Sequence, residues 1–111
     1  MPHNSGPVHE VKANLFRVLG HPARVRILEL LRGGERSVGS LQAELGLDSG
    51  GTSQHLAALR AIGLVTSRRE GTSVFYRVEE ERVFDLLAIG REILTRRLVT
   101  QQTLLRELET G

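Results

Sequence analysis

The run Leu47–Val78, LDSGGTSQHLAALRAIGLVTSRREGTSVFYRV, constrains the fold more than any other part of this chain. Two periodicities meet in it. Placed on a wheel at about 100° per residue, Thr52, Leu56 and Leu59 share one helical face. After Gly63, the segments Leu64–Arg69 and Ser73–Val78 are rich in β-branched and aromatic residues, with Glu70-Gly71-Thr72 as the turn between them. A helix running to about Ile62 that passes straight into a hairpin leaves few architectures open.

The flanking sequence supplies more helices. Val8, Val11, Leu15, Val18 and Leu19 recur at helical spacing and Gly20 ends that stretch. Pro22 suits the first turn of a second helix with a stripe of Val25, Ile27, Leu28, Leu30 and Leu31, stopped by Gly33-Gly34. Ser37 is a natural N-cap for a short third helix bearing Val38, Leu41 and Leu45, which Gly46 ends. Asp48 or Ser49 caps the fourth. From about Glu80 a last helix continues to about Leu108, roughly 40 Å at 1.5 Å per residue, with an acidic first turn facing the positive end of the helix dipole. The expected fold is mainly α with a β-hairpin wing, in the order α-α-α-α-β-β-α. That order is a winged helix-turn-helix, with Gly46-Leu47-Asp48 as the link between its third and fourth helices. Residues 1–7, polar and holding two of the three prolines, read as a flexible arm, and 8–109 as one domain.

Of the 111 residues, 40% are hydrophobic and only 4% aromatic, so Leu, Val, Ile and Ala must build the core. With no cysteine, disulfides, thiolate metal sites and thiol redox sensing are excluded. No apolar run approaches the ~20 residues of a membrane span, and the N-terminal stretch lacks a signal-peptide core, so a cytoplasmic protein is expected. The formal charge of +2 says little by itself. Its distribution says more: Arg60, Arg68, Arg69 and Arg77 stand against Glu70 alone between Ser53 and Val78, and an acidic stretch follows.

The outer face of the fourth helix carries Gly50, Ser53, Gln54, Ala57 and Arg60. Small residues let a helix backbone approach a groove floor, Ser53 and Gln54 offer hydrogen bonds to base edges, and Arg60 near the helix end suits a phosphate. Arg68 and Arg69 alternate across their strand, so one at a time faces a duplex; Arg77 lies on the return strand. No nucleophile sits with an adjacent base and no Gly-rich phosphate cradle is present, so an enzyme is not expected.

LFRVLGHPARVRILELL, followed by LQAELGLDSGGTSQHLAALRAIGLVTSRREGTSVFYRV, resembles the ArsR/SmtB family of bacterial winged-helix repressors over roughly residues 10 to 100. The resemblance implies a homodimer that binds a palindromic operator in duplex DNA and often releases it when an effector binds. It implies DNA contacts from Ser49, Gly50, Ser53, Gln54, His55, Arg60, Arg68, Arg69, Thr72 and Arg77. His55, where the family commonly carries His, serves either the DNA or the edge of the core. Gly50-Gly51 departs from the family's usual Ser-Thr and weakens the first turn by up to ~1 kcal/mol per glycine, so that turn is expected to order on DNA.

The family's metal sites do not carry over. Ser37 and Gly39 stand where one site has its thiols. Counting from Asp85, a second site would use Leu87, Leu98 and Gln101, of which two are apolar. His3 and His9 remain as candidate ligands for nickel or zinc. Pro2 lacks the amide that an amino-terminal copper or nickel clamp needs. The stripe Leu87, Ile93, Leu94, Leu98 and Leu105 on the last helix, with Val11 and Leu15 on the first, is expected to form the two-fold interface. The competing readings are a co-regulator that works through a protein partner and a nickel- or zinc-responsive repressor.

Overall fold

The computed structural model describes residues 6–110. Residues 1–5 of the expected arm, His3 included, lie outside them. The chain gathers into two compact units, one ending at Glu81 and the next beginning at Arg82.

The first unit holds α1 (Val8–Leu19), α2 (Pro22–Leu31), β1 (Arg36–Ser37), α3 (Val38–Leu45), α4 (Ser49–Ala61), β2 (Val65–Glu70) and β3 (Ser73–Val78). Each helix starts where its sequence offers a cap. His21 Nδ1 accepts from Ala23 N ahead of α2, Ser37 accepts from Ser40 N ahead of α3, and Asp48 accepts from Gly51 N ahead of α4. Between α3 and α4 the chain turns at Gly46, whose φ of 67° is left-handed and favours a residue without Cβ.

Ile27, Leu28, Leu41, Leu56 and Leu59 are fully buried, joined by Val18, Leu31, Leu64 and Val65. Each such side chain contributes about 1.5–3 kcal/mol on burial. Thr52 is buried among them at 0% exposure. Its hydroxyl donates to the Asp48 carbonyl at 2.9 Å, so its polar atom is satisfied within its own helix.

The strands form one antiparallel sheet in the order β1-β3-β2. Three details differ from the sequence reading. β1 was not expected, because two residues carry no readable alternation; Arg36 pairs with Tyr76 and Ser37 with Phe75. Glu70 belongs to β2 rather than to the turn, pairing with Ser73, and Leu64 precedes the strand. The turn is therefore Gly71-Thr72, with positive φ at Gly71 only, as a type II′ hairpin requires. The third difference is α4, whose first turn is already helical: the Asp48 carboxylate holds the Gly51 amide at 2.7 Å, which offsets the cost of the two glycines.

The second unit is a single helix, α5 (Val83–Thr110), which starts three residues later than expected and has 28 residues. Val83 is its one buried residue. Ile89, Ile93, Leu94, Leu98, Val99, Leu104 and Leu105 are each more than half exposed, and Leu108 reaches 79%. No described helix is long and apolar enough to cross a membrane.

Candidate nucleic-acid interface

α4 sorts its residues by face. Thr52, Leu56 and Leu59 are buried, while Ser49, Gly50, Ser53, Gln54, Ala57 and Arg60 are exposed. The apolar face packs into the first unit and leaves a small, polar outer face with no side chain larger than Arg60. Beside it opens a cleft of about 440 Å³ between α3, α4 and the hairpin, lined by Ser37, Ser53, Thr72, Ser73, Val74 and Tyr76 among others. The hydroxyl groups along it can donate to phosphate oxygens or base edges without adding charge.

The four arginines of the segment fall into two classes. Arg68 is held by two carboxylates: its Nε and Nη2 donate to the two carboxylate oxygens of Glu35 at 2.8 and 2.7 Å, and Nη1 donates to Glu70 at 3.1 Å. Its guanidinium also lies 4.7 Å from the ring centroid of Phe75. The hydrogen bonds from Arg68 hold the Glu35 carboxyl below its ordinary value, and those to Glu35 and Glu70 push the Arg68 guanidinium up. Arg77 pairs with Glu79 at 3.1 Å. Arg60 and Arg69 are exposed and have no side-chain partner among the described residues.

The register separates Arg68 from Arg69. Arg69 is opposite Val74, two residues from the Ser67–Tyr76 pair, and so shares a face with the cleft-lining Val74 and Tyr76. Arg68 is opposite Phe75 on the other face.

His55 is half-buried. Its Nδ1 accepts from Arg24 Nε at 3.1 Å, and its ring sits 4.2 Å from that of His21. Desolvation, with the charges of His21 and Arg24, holds its imidazole below the ordinary value. His55 Nδ1 is thus taken up within the protein. Arg24 also donates to the Val18 carbonyl at 3.3 Å, so one guanidinium links the end of α1, α2 and α4. Arg24 and Glu35 were not singled out from sequence, and His21 only as a helix-start residue, which it is. They lie in or beside helix ends, and no spacing marks them.

On α5, Ile93, Leu94, Leu98 and Leu105 are exposed and Leu87 is half-buried; on α1, Val11 is exposed and Leu15 half-buried. His9 is exposed in the first turn of α1. Among the described residues no group of three or more His, Cys, Asp or Glu is placed to hold a metal ion.

Residues 21–67, from the cap of α2 into β2, match the model of the bacterial regulatory proteins of the arsR family. An HTH-type transcriptional regulator of Mycobacterium tuberculosis, Rv0081, is 42% identical over 108 residues, covering 96% of this chain and 95% of that one. The chain belongs to the ArsR family. The crystal structure of Rv0081 superposes on this ArsR-family chain with a TM-score of 0.80 at 43% identity, over 87% of this chain and 98% of that one. The transcriptional repressor BigR of Xylella fastidiosa follows at 0.69 and 35%, over 77% and 87%. A homodimeric winged helix-turn-helix DNA-binding domain from Mycobacterium bovis, Mb0332, gives 0.69 and 31%, over 85% and 92%. This ArsR-family chain is thus a winged helix-turn-helix transcriptional regulator and not an enzyme, with α3 and α4 as its helix-turn-helix and β2-β3 as its wing.

Proposed function

We propose that the chain is a dimeric repressor that binds a palindromic operator in duplex DNA, in the cytoplasm, with residues 8–109 as its DNA-binding and dimerisation domain. The observation that carries this reading is the sorting of α4. Its apolar face is buried, and Ser53, Gln54 and Arg60 are exposed beside the cleft and the free cation Arg69. Ser53 and Gln54 read base edges, with Gln54 suited to adenine, and Ser49, Gly50 and Thr72 lie against the backbone. Arg60 and Arg69 neutralise phosphates.

The dimer is supported by α5. A helix with eight large apolar side chains more than half exposed needs a second apolar surface, and a second copy supplies an identical one. The homodimeric state of the Mycobacterium bovis relative supports the same arrangement.

The test is a gel shift of the pure protein against its own promoter, beside a scrambled duplex of equal length. A shift confined to the promoter is expected, weakening steeply with salt. Binding to neither overturns the reading. Binding to the promoter only when a second protein is added makes the chain a co-regulator instead.

A further inference from the structure

We propose that Glu35 is a positioning residue for DNA binding: it fastens Arg68 across the sheet, so that the wing presents Arg69 and not Arg68 to the duplex. This rests on the operator reading above. Glu35 immediately precedes β1, which is the far edge of the sheet from β2. Arg68 therefore reaches from β2 over Phe75 of the middle strand to meet a carboxylate beside the opposite edge strand. The two side chains together bridge the sheet from edge to edge. The two-pronged pair is planar and directional, which a single-point contact is not. Nη1, the nitrogen outside that pair, is held by Glu70.

The same geometry makes Arg68 the poorer phosphate ligand. One N–H on each of its two Nη nitrogens is left. Its charge is already matched by Glu35 and Glu70, so a phosphate contact there neutralises no net charge. Arg69 has no such partner among the described residues and shares the face of Val74 and Tyr76, which line the cleft beside Ser53. The charges of Arg68, Arg69, Glu35 and Glu70 cancel, so the wing grips through the placement of one cation and not through bulk basicity.

The test is an equilibrium titration of the pure full-length protein with a fluorescent duplex from its own promoter, across a salt series. Arg69→Ala is expected to flatten the dependence of log Kobs on log[salt] by about 0.9 per protomer. Arg68→Ala is expected to leave that slope unchanged and to weaken binding at every salt concentration by about fivefold, the scale of one organised ion pair. Glu35→Gln is expected to weaken binding in the same way. Charge alone says the reverse, since this variant deletes a negative group from a DNA-binding unit. Arg68→Lys keeps the charge but not the fork and should not rescue. Tighter binding by Glu35→Gln, or a slope for Arg68→Ala as flat as that for Arg69→Ala, overturns the proposal.

Amide hydrogen exchange in the free protein gives a second readout that needs no DNA. The β2 and β3 amides should exchange faster in Glu35→Gln and Arg68→Ala and not in Arg69→Ala. Unchanged exchange in all three also overturns the brace. A wild-type protein that binds no duplex overturns the operator reading and the DNA part of this proposal together, and exchange alone then decides whether the brace exists.

Discussion

His55 Nδ1 accepts a hydrogen bond from Arg24 Nε at 3.1 Å, and through it the reading helix α4 is tied to α2. An accepting Nδ1 means a neutral ring with its proton on Nε2. Protonation ends the bond and places a cation beside Arg24 and 4.2 Å from the His21 ring.

The sign of the pH effect follows. His55 titrates below its ordinary 6.5 in the folded state, so the unfolded chain takes the proton first. The stability from His55 is complete above 6.5 and is lost as pH falls from there through the lower folded value. The melting temperature should drop over that window, and His55→Gln should remove part of the drop. A melting temperature just as pH-dependent in the variant would show that His55 is not responsible.

Gly50 and Gly51 are neighbours with different expected responses to alanine. A Cβ at Gly50 meets nothing closer than 3.9 Å, whereas one at Gly51 lies 3.0 Å from the capping oxygen of Asp48. Gly50→Ala should stabilise by up to ~1 kcal/mol. Gly51→Ala crowds the capping oxygen, and a cap weakened by up to about 1 kcal/mol offsets the same gain, so this variant should be the less stable of the two. Urea unfolding of the two variants checks the order.

Leu59 is 0% exposed at the base of α4. Leu59→Ala should cost about 2–5 kcal/mol, enough to unfold a marginal domain. Chemical denaturation measures it; a cost under 1 kcal/mol would mean the site collapses around the missing atoms.

Leu94 and Leu98 are 59% and 58% exposed on α5. Changing both to Glu should convert the protein to a monomer in sedimentation velocity and abolish promoter binding while leaving its helical content intact. A dimer that persists would place the interface elsewhere.

Gln54→Ala should cost about 1–3 kcal/mol on the promoter and relax the preference at one base position. Arg60→Ala should weaken all duplexes alike and lower the salt slope by about 0.9 per protomer. Binding titrations on promoter and scrambled duplexes separate the two outcomes.

Much of this was legible in residue order. Thr52, Leu56 and Leu59 at helical spacing identified the buried face of α4, and Ser37, Gly46 and Asp48 marked the ends of α3 and the start of α4, because caps and left-handed turns are local chemistry. What was not legible depends on chain segments far apart in sequence. Glu35 meets Arg68, 33 residues away, and Arg24 meets His55, 31 residues away. Read locally, Arg68, Arg69 and Arg77 made a basic hairpin. The fold brings Glu35 to that hairpin, where Glu70 and the adjoining Glu79 already stand, and leaves Arg69 as the cation without a partner among the described residues. The two-residue β1 was too short for alternation to show, and only its pairing with β3 reveals it.

The neutral wing bears on how the protein finds its target. Arg68 and Arg77 are spent on carboxylates, so on the proposed reading the wing itself adds only Arg69 to the attraction for any stretch of duplex. On that reading the choice between one site and another falls on uncharged hydroxyl and amide groups, whose contacts ordinary changes in salt leave almost untouched.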